Sequence, residues 1–148
     1  MNTDRQAIAG AFKARGLRCT PQRFVILEYL QQHPTHPHAE EILEAVNRND
    51  PRASRATIYN ALHALVRAGL VREVPLAGQA ARFECHVERH HHFVCDRCGR
   101  IEDLEWFDLP GIARLAKISP ARLRRWELVL QGVCESCSSL KKEKNTHG

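Results

Sequence analysis

No apolar run in the chain exceeds a few residues, so no segment approaches the ~20 consecutive apolar residues of a membrane-spanning helix. The opening MNTDRQAIAG lacks the features of a secretory signal, and a cytosolic protein is expected. Internal repeats are absent. The only low-complexity piece is the polar tail KKEKNTHG, which is expected to be disordered. A clustered charge is missing too: the net charge is +5, but Lys and Arg are spread along the chain. That balance permits a polyanion partner without requiring one. What is present is 148 residues, 43% of them hydrophobic, enough for one ordinary domain or two small ones. Two cores of that size would each be marginal, and metal or dimerisation would be expected to help.

The first half has the periodicity of helices. Ile8 and Phe12 stand four apart with Ala11 beside them. Thr20-Pro21 has the form of an N-cap followed by proline at the first helical position, opening a helix in which Phe24, Leu27 and Leu30 recur. Two prolines interrupt HPTHPHAEEILEAVNRN, and a further helix begins near His38 with Ile42, Leu43 and Val46 inward. In PRASRATIYNALHALVRAGLV, Ser54 is the cap, Ile58, Leu62, Leu65 and Val66 form the stripe, and Gly69 is the stop. The strand-like runs LVREV and ARFEC follow, joined by PLAGQ. Three helices and a hairpin in that order spell a winged helix-turn-helix. The second half differs: HHFVC, RIEDL and WELVLQG have strand patterns, with LPGIARLAK a short helix between the last two. The expected class is α+β, with a winged helix over 1–84 followed by a small α/β module over 85–148.

Six cysteines in a cytosolic protein favour metal thiolates over a disulfide framework. Cys95-x2-Cys98 is followed after 35 residues by Cys134-x2-Cys137. Each pair can set two thiolates on one ion, and two such pairs complete a tetrahedral site suited to structural Zn2+. No βαβ pattern surrounds either pair, which weighs against a redox dithiol. Cys19 is expected as a small buried hydrophobe near the first helix junction. Cys85 is left between that role and a thiol close to a metal.

Nine histidines are many for this length. If residues 90–94 form a strand, His90 and His92 share one face and His91 takes the other. Two imidazoles so placed suit a shared metal, with Glu84 and Asp103 as candidate carboxylates; solvated or hydrogen-bonded side chains are the alternative. Imidazole with carboxylate suits Fe2+, Mn2+ or Zn2+ and differs in character from the thiolate site.

At this point SRATIYNALHALVRAGLV, LRCTPQRFVILEYL, the wing ending RFE, HHHFVCDRCGRIEDL and GVCESCS together resemble the ferric uptake regulator family, over roughly residues 5–140 in unbroken order. The resemblance implies a homodimeric, metal-dependent repressor whose second domain dimerises and whose partner is a palindromic operator in double-stranded DNA. It places structural zinc, one per subunit, on Cys95, Cys98, Cys134 and Cys137. It places a regulatory Fe2+ or Mn2+ on His36, Glu84, His90, His92 and Asp103; His36 was not identifiable from spacing. Tyr59-Asn60 is similar to the peroxide-sensing branch. Arg89, His91, Pro110 and Trp126 stand where many iron-uptake regulators carry the ligands of an extra metal. Glu84, by contrast, is the iron-uptake habit, so an iron-responsive repressor of uptake genes is the alternative.

By the same resemblance, the recognition helix, about residues 54–67, enters the major groove. Ser54, Arg55, Thr57, Tyr59 and Asn60 form its exposed face, with Tyr59 and Asn60 meeting bases and Arg55 a phosphate or guanine. Arg18, Gln22 and Arg23 are expected on the DNA backbone. In a peroxide sensor, His36 and His90 are the imidazoles that become oxidised, without turnover. An enzyme built on His90, His92 and a carboxylate is the competing class, yet no cofactor motif or pocket for a small organic substrate is legible. A zinc-stapled DNA-binding module without sensing is the other.

Overall fold

In a computed structural model the described residues are 2–48, 52–119 and 121–139; the tail expected to be disordered lies outside them. The chain divides into two compact units, Met1–Val87 and Glu88–Gly148, slightly beyond the boundary expected at Glu84.

The first unit opens with α1 (Asn2–Ala14), α2 (Pro21–Gln32), α3 (Ala39–Asn47) and α4 (Arg55–Arg67). Three of these begin on side-chain caps that the sequence dictates. Thr20 accepts from Arg23 N, His38 Nδ1 accepts from Glu41 N, and Ser54 Oγ accepts from Thr57 N, each satisfying an orphan amide of a first turn. Gly69 ends the α4 region with φ of 75°, a left-handed conformation that favours glycine. Beyond it β1 (Arg72–Val74) and β2 (Arg82–Glu84) pair antiparallel as the wing. Both strands are shorter than the runs LVREV and ARFEC that announced them. Ile8 and Phe12 of α1, Ile26, Leu27 and Leu30 of α2, Ile42 and Val46 of α3, and Ile58, Leu62 and Leu65 of α4 close over one core, with Phe83 from the wing. Full burial of each such side chain contributes about 1.5–3 kcal/mol. This unit is a winged helix-turn-helix with a core of its own.

One expectation fails here: Cys19 is exposed. Leu17 takes the packing position against the core at the α1–α2 junction, leaving the thiol two residues later on the outside.

The second unit is a three-stranded sheet in the order β4-β3-β5, with β3 His91–Cys95, β4 Ile101–Leu104 and β5 Val129–Gly132, and the short helix α5 (Ile112–Leu115) between β4 and β5. β3 is antiparallel to β4 and parallel to β5. The expected strand WELVLQG is cut short at its start because Trp126 turns into an aromatic cluster with Trp106 and His91. Gly132 leaves room for Phe93: a Cβ there would meet the Phe93 ring at 3.2 Å, a tight contact. Among the described residues of this unit, the buried apolar side chains are only Val94, Cys95, Ile101 and Cys134. So small a core calls for a staple.

Candidate metal centres and a DNA-facing helix

The staple is at hand. The Sγ atoms of Cys95, Cys98, Cys134 and Cys137 all lie within 4.8 Å of one another. β3 delivers Cys95 at its end, opposite Gly132 of β5. The turn after it is closed by Gly99 N donating to Cys95 O at 2.9 Å, with Gly99 at φ of 74°. β5 runs into Cys134, and a helical turn at 135–139 carries Cys137. Metal–sulfur bonds of about 2.3 Å put the corners of a tetrahedron about 3.8 Å apart. Cys98 Sγ and Cys134 Sγ are 3.8 Å apart.

The electrostatics of the cluster favour a cation. Backbone amides of Cys98 and Cys134 lower the Cys95 thiol to about 6, well below its ordinary 9.0. Cys134 N donates to its sulfur at 3.3 Å. Cys137 moves the other way, to about 12, because the Cys134 thiol beside it and burial disfavour a second negative charge. One thiolate forms readily and the next is resisted, a resistance that a dication among the sulfurs removes.

The first unit supplies two further candidate ligands. Pro37 O accepts from Phe83 N at 2.9 Å, and His38 bridges to Arg82, so the segment before α3 lies along β2. That pairing brings His36 beside Glu84. Both are buried, and His36 Nε2 is 2.7 Å from Glu84 Oε2. His36 has φ of 54°, a left-handed backbone uncommon for a residue with a side chain. Arg72, also buried, places Nη1 3.9 Å from the other oxygen of Glu84.

The second unit carries three candidate nitrogen and oxygen ligands of its own. His90 and His92 take one face at the start of β3, their rings 4.5 Å apart edge to face. Asp103, opposite His92 on β4, reaches both: its Oδ1 is 3.4 Å from His90 Nε2 and 3.6 Å from His92 Nε2. His90 Nδ1 donates to Glu88 O at 2.6 Å, which fixes the tautomer and leaves Nε2 as the basic nitrogen. His91 points to the opposite face. Its Nδ1 accepts from Leu128 N at 3.0 Å and its Nε2 donates to Phe107 O at 2.9 Å. The ring stacks on Trp106, over which Arg89 lies at 3.7 Å.

On α4, Ile58 and Leu62 are inside while Ser54, Arg55, Tyr59 and Asn60 are exposed. Thr57 is half-buried and its hydroxyl is bonded to Ser54 Oγ at 2.8 Å, so it belongs to the cap more than to the open face. Arg55 is held at 2.8 Å by Glu40 of α3. Arg18 is exposed; Gln22 and Arg23 are half-buried, with Arg23 Nη1 donating to Arg18 O at 2.9 Å. Cys85 is half-buried with its thiol toward Leu30 O, and burial raises its pKa. Sequence reasoning missed Arg72; the strand pairing that sets it opposite Glu84 was the signal, but its register depends on the turn.

A winged helix with a separate module carrying a four-cysteine cluster defines a class of DNA-binding proteins organised around metal sites. A model of the Ferric uptake regulator family matches residues 14–122. The peroxide-responsive repressor PerR of Staphylococcus aureus is 36% identical over 128 residues, 86% of each chain. Among solved structures, the Vibrio cholerae ferric uptake regulator is similar at TM-score 0.64 and 29% identity, over 84% of this chain and 98% of that one. The Campylobacter jejuni peroxide stress regulator is similar at TM-score 0.63 and 26% identity, over 89% and 97%. The chain belongs to the Ferric uptake regulator family, whose members are dimeric, operator-binding transcriptional regulators with a winged helix and a dimerisation domain.

Proposed function

We propose that the protein is a metal-dependent repressor that binds a palindromic operator as a homodimer in the cytoplasm and is released by hydrogen peroxide. The observation that carries this reading is the likeness to the peroxide-responsive repressor across 86% of both chains. Structural Zn2+ is assigned to Cys95, Cys98, Cys134 and Cys137, whose sulfurs fit its tetrahedron. Regulatory Fe2+ or Mn2+ is assigned to His36, Glu84, His90, His92 and Asp103, nitrogen and oxygen donors suited to those ions.

When Fe2+ is bound, it supplies the reducing chemistry that hydrogen peroxide needs; Mn2+ at the same residues does not. The chain's own contribution is to supply the imidazole and carboxylate ligands, so that occupancy of the site sets whether the operator is bound. His36 and His90 are the imidazoles assigned to take up the oxygen atom, after which each is a poorer ligand. Ser54, Tyr59 and Asn60, with Thr57 supporting the cap, meet the major groove; Arg55 meets a phosphate or a guanine, and Arg18, Gln22 and Arg23 meet phosphates.

The second reading, a repressor that follows iron level, is favoured by the likeness to the Vibrio cholerae ferric uptake regulator. One experiment separates the two. Purified protein is loaded with Fe2+ or with Mn2+, micromolar peroxide is added, and operator binding is measured beside tryptic peptide masses. Peroxide sensing requires loss of binding in the iron form alone, with one oxygen atom gained on the peptides carrying His36 or His90. Operator binding that survives peroxide and tracks iron establishes the second reading.

A further inference from the structure

We propose that Arg72 is a positioning residue for the regulatory metal: across the wing its guanidinium sets a buried positive charge beside Glu84 Oε1, and so weakens the hold of that carboxylate on a metal. This rests on the assignment of His36 and Glu84 as ligands. Arg72 and Glu84 are directly opposed on β1 and β2, and side chains so paired share a face of the sheet. Each is 6% exposed. The neighbours of the two oxygens differ: Arg72 Nη1 stands 3.9 Å from Oε1, an ion-pair distance, and His36 Nε2 is 2.7 Å from Oε2. A guanidinium stays charged even when buried, so a positive charge is fixed on this side of Glu84.

One consequence follows for a cation at Glu84. A fixed positive charge in a poorly solvated setting opposes an arriving dication. It makes the metal weaker and more exchangeable than the residue set alone would give, as suits a regulatory ion. A purely structural Arg72, there to neutralise a buried carboxylate, predicts something else: its loss would loosen the wing and weaken or leave unchanged the metal affinity. The direction of the affinity change therefore decides.

The test titrates zinc-replete, full-length protein with Mn2+ alone, reading free Mn2+ by electron paramagnetic resonance, for the parent, Arg72→Gln, Arg72→Met, Arg72→Lys and His36→Ala. Arg72→Gln is expected to bind Mn2+ about tenfold more tightly, about 1.4 kcal/mol. Arg72→Lys, which keeps the charge, stays close to the parent. Arg72→Met keeps the aliphatic stem packed and carries the same expectation as Gln, which guards against a Gln variant that does not fold. Affinity equal to or below that of the parent in folded Gln or Met variants overturns the role given to Arg72. His36→Ala reports on the site itself. Should it bind Mn2+ as the parent does, the ligand assignment fails and the Arg72 proposal with it. Should it lose Mn2+ while the Arg72 variants gain nothing, the assignment stands and only the positioning role falls.

Discussion

Cys134→Ser removes one corner of the sulfur cluster, and its consequence follows from how little else holds the second unit. Structural zinc sites are worth about 10–16 kcal/mol at neutral pH, whereas a whole domain is stable by about 5–15 kcal/mol. A module whose buried apolar side chains, among the described residues, are Val94, Cys95, Ile101 and Cys134 has no reserve to absorb that loss. The second unit is therefore expected to unfold while the first, with its own core, stays folded. The chain carries its own reporter: its two tryptophans, Trp106 and Trp126, both belong to the second unit and pack against each other and His91. The helices α1 to α4 belong to the first. In Cys134→Ser, tryptophan emission is expected to shift to the red and match the urea-unfolded protein, while far-ultraviolet circular dichroism keeps most of its helical signal. Chelation of the parent by a strong zinc chelator should do the same. A Cys134→Ser protein with parental tryptophan emission in zinc-free buffer refutes the reasoning, since the sheet would then be standing without its staple.

Other expectations concern the first unit. Ser54→Ala removes the cap of α4 and costs about 1 kcal/mol in urea unfolding, whereas Ser54→Gly costs only a few tenths; equal losses in the two would place the contribution elsewhere. Arg55→Ala is expected to weaken operator binding for all sequences and to reduce the salt slope of log K by about 0.9, the signature of one lost phosphate contact. An unchanged slope with relaxed preference at one base pair would instead assign Arg55 to a guanine. With zinc bound, alkylation followed by mass spectrometry should label Cys19 first, because it is exposed. Cys85 should lag and need higher pH: burial raises its pKa, so less thiolate is present at a given pH. Cys85 labelled as fast as Cys19 at neutral pH contradicts that environment.

The helices were legible because their causes are local. Thr20-Pro21 and Ser54 cap the chain where they stand, and Ile58, Leu62 and Leu65 bury the face that their spacing announces. Cys19 shows the limit: whether a small apolar side chain at a junction turns inward depends on which neighbour wins the space, and Leu17 does. Strand ends were overrun for the same reason, since Trp126 leaves the pattern for an aromatic partner that the sequence does not name.

By itself the sequence determined the thiolate chemistry, because two matched Cys-x2-Cys pairs carry their geometry in their spacing, and it put His90 and His92 on one face, because a strand alternates. Only the tertiary structure decided that His36 is buried against Glu84, since that contact is made by Pro37 meeting Phe83 across a long loop closure. It alone decided, too, that Glu84 faces Arg72, a matter of hairpin register that a shift of one residue would reverse. Contacts between neighbours in sequence are set by spacing; contacts between distant segments are set by which packing of the whole chain is lowest in free energy.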